Sequence, residues 1–136
     1  AGDDRFDALL HEVVRFFTAD PDRARLVLRE VLDRPDAMRA RLVEAVAPWM
    51  AVIAGYIRKG QESGEIRESV DPEAYLLHVI HLVISGIATA DTLGSVLEGD
   101  VDRLVRELER MAKTSLFTEE GLARARQRRA KNEAAE

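Results

Sequence analysis

The sequence predicts an all-α fold, an antiparallel bundle of about five main helices. Three observations carry this. Apolar residues recur at steps of three and four over most of the length, and no stretch alternates as a strand would. Asp-Pro pairs at Asp20-Pro21 and Asp71-Pro72 punctuate the chain as helix starts, because Asp accepts backbone N–H bonds at a cap and Pro fits the first turn. The 136 residues, 46% of them hydrophobic, suffice for one domain with a real core but not comfortably for two.

The first helix is expected over residues 3 to 18, on the stripe Phe6, Leu9, Leu10, Val13, Val14 and Phe17. Asp20-Pro21 restarts the chain into a second helix marked by Ala24, Val27, Leu28, Val31 and Leu32. Pro35 opens a third in the same way, with the stripe Met38, Leu42, Val46, Trp49, Met50, Ile53 and Ile57. Pro48 inside it removes one backbone bond and crowds the carbonyl of Glu44, so a kink is expected near residues 44 to 48. That kink either wraps the helix round the core or opens a space beside Trp49. Gly60 and Gly64 end the third helix, and Asp71-Pro72 caps a fourth that runs to about Asp91. Thr92 to Gly99 reads as a loop or short turn. Asp100 caps a fifth helix on Val101, Leu104, Val105, Leu108 and Met111, with a charged opposite face. From residue 119 to 136 the apolar pattern fades into a basic extension containing Arg124, Arg126, Arg128, Arg129 and Lys131, expected to be a frayed or solvated helix.

Composition excludes several functions. There is no cysteine, so neither disulfides nor thiolate metal sites exist, in keeping with a cytoplasmic location. With 20 basic and 25 acidic residues the chain carries a net charge of −5 and lacks the broad attraction that DNA-binding domains use. The longest apolar stretch, Ala74 to Ala90, is interrupted by His78, His81 and Ser85, so no membrane span is expected. The acidic start, Ala1-Gly2-Asp3-Asp4, is unlike a secretory signal.

The fourth helix is the most informative. Residues 74 to 90 read AYLLHVIHLVISGIATA, with His78, His81, Ser85 and Thr89 on one narrow polar stripe. A helix apolar nearly all round needs cover on more than one side, and a second copy of the chain supplies it most simply. Gly86 and Ala90, four apart, add a flat patch for close backbone approach. Leu76, Ile80, Val83, Gly86, Ile87 and Ala90, with Leu104, Val105, Leu108 and Met111 of the fifth helix, are therefore the expected dimer face. The polar stripe lines either a pocket or a solvated groove. In the pocket reading, Trp49, Met50, Ile53, His78, His81 and Ser85 line an apolar cavity that Phe17 and Met38 close, although each bulky residue also fits a plain core. His78 and His81, with His11 or a carboxylate, lack a third ligand at a telling spacing, so no metal or cofactor is expected. Ser85 lies one turn from His81, but no orienting acid shares the stripe, so an enzyme is not expected.

Two segments carry a resemblance. Gly60-Gln61-Glu62-Ser63-Gly64-Glu65-Ile66 leading to Asp71-Pro72, and the Phe16-Phe17-Thr18-Ala19-Asp20-Pro21 junction, together with the proline-bearing third helix, resemble the C-terminal domain of the TetR/AcrR family of bacterial transcriptional regulators. The likeness covers roughly residues 5 to 113. It implies an effector-sensing and dimerisation domain over residues 1–118, with a homodimer built from the last two long helices and a small, largely apolar ligand inside each subunit. The alternative is a purely structural dimerisation module with a filled core. The family's DNA-reading segment, with its Ala-Gly-Val-Ser turn, does not occur in these 136 residues. The stretch is thus expected to be part of a longer regulator, such as a repressor, and to bind no nucleic acid alone; operator DNA would be a partner of the full-length protein.

Overall fold

A computed structural model describes residues 2–98 and 100–134, with side chains described from residue 4 onward; Ala1, the loop end at Gly99 and the last two residues of the basic extension lie outside these. Among the described residues six α-helices follow one another: α1 (Gly2–Ala19), α2 (Pro21–Asp33), α3 (Pro35–Glu62), α4 (Pro72–Ala88), α5 (Val101–Leu116) and α6 (Glu119–Glu133). A 3-10 turn, Leu93–Leu97, joins α4 to α5. The fold is all-α, and among the described residues the one β-like contact is a single bridge between Ile66 and Phe117.

The caps explain the breaks. The carboxylates of Asp20, Asp71 and Asp100 accept from the backbone N–H of Asp22, Ala74 and Arg103, closing the starts of α2, α4 and α5. The α2–α3 junction differs from the expectation of a like restart at Pro35. Arg34 both ends α2 and precedes Pro35, and its side chain makes no capping bond. Proline alone marks that start, and α3 then runs unbroken through Pro48. Gly60 is also not a helix end. It lies inside α3, where a side-chain carbon would sit 2.5 Å from Ile66 Cδ1. Gly64 makes the turn, with φ +73°.

α4 is central and packs against α1, α2, α3 and α5. That accounts for much of its all-round apolarity within one subunit. Two buried clusters result. One joins Leu10 and Val14 of α1, Ala24 of α2, Val83 and Ile87 of α4, and Ala112 of α5. The other joins Ala54, Ile57, Ile66, Leu76, Leu116 and Phe117. Phe6 touches both and meets Phe117 edge-to-face at 5.6 Å.

Residues 119–133 do not behave as a solvated tail. Thr118 caps α6 through Gly121 N–H, while Gly121 and Ala125 are buried. Arg128 bonds Glu65 at 3.1 Å, and Arg129 bonds Asp4 at 3.0 Å and Asp7 at 2.9 Å. At Gly121 a Cβ would collide with the backbone of Glu65, so the helix lies flush against that turn. By length and composition α3 is also apolar enough to cross a bilayer, a property hidden by looking for uninterrupted apolar runs. Its inner face instead packs into the second cluster through Ala54 and Ile57.

Candidate ligand cleft and dimer face

Two apolar surfaces stand out. The first is a cleft of ≈ 710 Å³ between α1, the C-terminal half of α3 and the end of α5. α1 contributes Phe6 and Leu9, and α3 contributes Ile53, Tyr56 and Ile57. Ile66, Leu76, Leu116 and Phe117 form the floor and are all buried. The volume falls in the range of ordinary small-molecule sites, roughly 300–1,000 Å³.

The turn after α3 builds one end of this cleft. Ile66 N–H reaches back to the Gly60 carbonyl at 3.0 Å, which the missing side chain at residue 60 permits. Gln61 ties the following loop down by donating to the carbonyls of Arg67 at 3.0 Å and Val70 at 2.8 Å. Arg67 N–H bonds Leu116 O, and Thr118 N–H bonds Glu65 O, both at 3.0 Å. The Gly60–Ile66 motif is thus a brace between α3 and the end of α5. Beside the floor, the Tyr75 hydroxyl donates to Ala112 O at 2.5 Å, and burial pushes its phenol well above the usual range.

The rim is charged, and its charges are unevenly compensated. Glu12 is bonded by Arg15 at 2.9 Å and Glu65 by Arg128 at 3.1 Å. Arg5 lies over the Tyr56 ring, 5.6 Å from its centroid. Neither Arg5 nor Lys59 has a carboxylate partner among the described residues.

The second surface is a groove of ≈ 230 Å³ between α4 and α5. Leu82 and Gly86 face Leu104, Leu108 and Met111 across it, with Val83 and Ile87 beneath, and Glu107 is its one charged lining residue. Leu82 and Met111 are each 46% exposed, which is unusual for large apolar side chains set side by side. A Cβ at Gly86 would meet nothing within 4 Å, so no neighbour inside the subunit requires a glycine there. A third concavity, between α1 and α5, mixes Asp7, Glu12 and Glu109 with Arg106, Arg110 and Lys113, and its charges largely offset one another.

The residues singled out from the sequence divide between these places. Of the expected pocket lining, Ile53 reaches the 710 Å³ cleft. Trp49 and Ile53 also line a void of only ≈ 50 Å³ between α1, α3 and α4, where Leu76, Ile80 and Val83 close the α4 side. His78 and His81 are exposed, Ser85 is half-buried, and none of the three lines either space. The reason is helical phase. α4 turns Leu76, Val79, Ile80, Val83 and Ile87 inward, and the polar stripe lies on the opposite side. Met50 packs against the second cluster and Phe17 against the first, while Met38 is half-buried in the first turn of α3, at the far end from the cleft. Of the expected dimer face, Gly86, Leu104, Val105, Leu108 and Met111 line the groove, with Val83 and Ile87 at its base. Leu76, Val83 and Ile87 are buried within the subunit, and Ile80 and Ala90 are half-buried outside the groove. Tyr56, one of the bulky residues that the sequence offered as a cavity lining, borders the cleft, whereas Arg5 and Lys59 are not among the residues expected there. Tyr56 and Lys59 share a face of α3 at a spacing of three, but nothing local says that Arg5 meets that face. Among the described residues no group of three or more His, Asp or Glu side chains comes together as a metal site.

The family described as Tetracyclin repressor-like, C-terminal domain, matches residues 27–114, well over half the chain. The chain belongs to that family. No significant match is found among curated proteins or among solved structures. The tetracycline-repressor-like domain is, in general terms, the ligand-binding and dimerisation domain of a transcriptional regulator, and the family is regulatory rather than catalytic.

Proposed function

We propose that this domain senses a small, largely apolar molecule in the cleft between α1 and α3, and pairs with a second copy through the α4–α5 groove. The observation that carries this reading is the coexistence of two distinct apolar surfaces on one small domain. One is a concave cleft of ≈ 710 Å³ and the other a shallower groove of ≈ 230 Å³. Occupancy of the cleft would favour one setting of α1 against α3. The dimer would pass that preference to a DNA-binding domain of the same cytoplasmic regulator, within the limit set by the ligand's differential affinity for the two settings.

The space between α3 near Pro48 and α4 holds only ≈ 50 Å³, and His81 faces away from it. That tight packing is also what favours the second reading, a dimerisation module with a filled core. Thermal-shift screening separates the two. The sensing domain is stabilised by apolar compounds, and Ala8→Trp, which places a ring at the cleft wall, removes that response. A flat response to every compound, alike in wild type and Ala8→Trp, would leave only the dimerisation module.

A further inference from the structure

We infer that the molecule taken by the α1–α3 cleft is an amphipathic anion, an apolar body carrying a single anionic head group, rather than a neutral or cationic apolar compound. This rests on the reading of the cleft as the sensing site and names the ligand class that its rim selects.

The argument is one of charge balance at the mouth. Four charged side chains border the apolar floor: Arg5, Glu12, Lys59 and Glu65. Both carboxylates are already engaged, Glu12 by Arg15 and Glu65 by Arg128, each through a cation outside the cleft lining. Both cations lack a carboxylate partner among the described residues. The mouth therefore carries uncompensated positive charge, although the chain as a whole is at −5. The cations also converge. The Arg5 guanidinium lies over the Tyr56 ring, and Lys59 is one helical turn from Tyr56, where side chains three apart are neighbours at about 5–6 Å between Cβ atoms. A head group seated above Tyr56 meets a planar fork and a flexible ammonium together, an arrangement suited to carboxylate or phosphate oxygens. Behind it, Leu9, Ile57, Leu116 and Phe117 offer carbon surface to the tail. A cationic ligand would meet two like charges and no free carboxylate. A neutral one would leave both cations only partly solvated beside an apolar body.

The experiment is calorimetric titration of the full chain with four probes built on a ten-carbon chain: decanoate, decyl phosphate, 1-decanol and decyltrimethylammonium. Arg5→Gln/Lys59→Gln and Ala8→Trp are titrated in parallel. At least one of the two anions is expected to bind roughly tenfold or more tighter than 1-decanol, as losing a charge-assisted contact implies. Which anion is preferred tells a carboxylate head from a phosphate head. The double glutamine variant should erase that advantage by weakening the anions without weakening 1-decanol, and Ala8→Trp should weaken all binding probes together. Equal affinity for 1-decanol and both anions, or an anion affinity indifferent to the double variant, overturns the inference and leaves the sensing reading standing. Binding of no probe, or binding that Ala8→Trp does not weaken, overturns the sensing reading and this inference with it. Both cations lie at the rim, so circular dichroism and thermal midpoints of the double variant should match wild type.

Discussion

The α1–α3 cleft and the α4–α5 groove are both apolar, yet they differ in what surrounds the carbon surface. The groove has one charged lining residue, two large side chains nearly half exposed, and a glycine with open space above it. The cleft has a buried floor, a braced end wall and a rim with two uncompensated cations. Shallow apolar surface whose one charge, Glu107, is already paired with Arg110 suits a copy of itself, because no further charge need be matched across a two-fold axis. A concave floor with a few placed charges suits a small molecule. Hydrophobicity alone does not separate the two roles; the location of charge does.

The largest effect is expected below the cleft. Leu116 is 1% exposed and belongs to the second cluster, so Leu116→Ala should cost about 2–5 kcal/mol by chemical denaturation. A loss below 1 kcal/mol would mean that the floor is not packed as described. Next comes the groove. A Cβ at residue 86 meets nothing within 4 Å, and the ring of Gly86→Trp would fill the surface offered to a partner, so dimer association should weaken by roughly 2 kcal/mol or more. Gly86→Ala is the control, since it meets nothing and gains up to about 1 kcal/mol of helix propensity.

The α6 strap gives the next smaller effects. Gly121→Ala places a methyl into the backbone of Glu65 and should cost about 1–3 kcal/mol of docking, read as faster tryptic cleavage among Arg124 to Lys131. Unchanged cleavage would contradict the flush contact. Gln61→Ala removes the donor to Arg67 and Val70 and should cost about 1 kcal/mol, seen as faster amide exchange across residues 66–71. The smallest effect is on pH. The hydrogen bond from Arg129 holds the Asp4 carboxyl below its ordinary value of 3.8. A depressed carboxylate contributes above its unfolded value and loses that contribution as pH falls through its folded one. Hydrogen-exchange protection of α6 should therefore weaken as pH falls below about 3.8, and Asp4→Asn should remove that step.

Much of the fold was legible because its signals are local. The Asp-Pro starts and the stripes of α1 and α5 lie within single helices, and the capping bonds at Asp20, Asp71 and Asp100 span two or three residues. α6 was illegible as a docked element because small residues carry its packing. Gly121 and Ala125 are buried with little hydropathy to advertise it, and its ion-pair partners Asp4, Asp7 and Glu65 are far away in the chain. The polar stripe of α4 was visible, but its direction was not. Periodicity reveals that His78, His81 and Ser85 share a face, whereas burial of Leu76, Val83 and Ile87 decides that the face points outward. The cleft pairs residues 5–12 with residues 53–66, and no pattern in either segment announces the other.

Sedimentation equilibrium at micromolar concentration, run on wild type, Gly86→Trp and Ala8→Trp, tests most directly the division of labour between groove and cleft. The account predicts a dimer for wild type, a monomer for Gly86→Trp, and an undisturbed dimer for Ala8→Trp. A monomeric wild type, or dissociation of Ala8→Trp while Gly86→Trp stays paired, would contradict it.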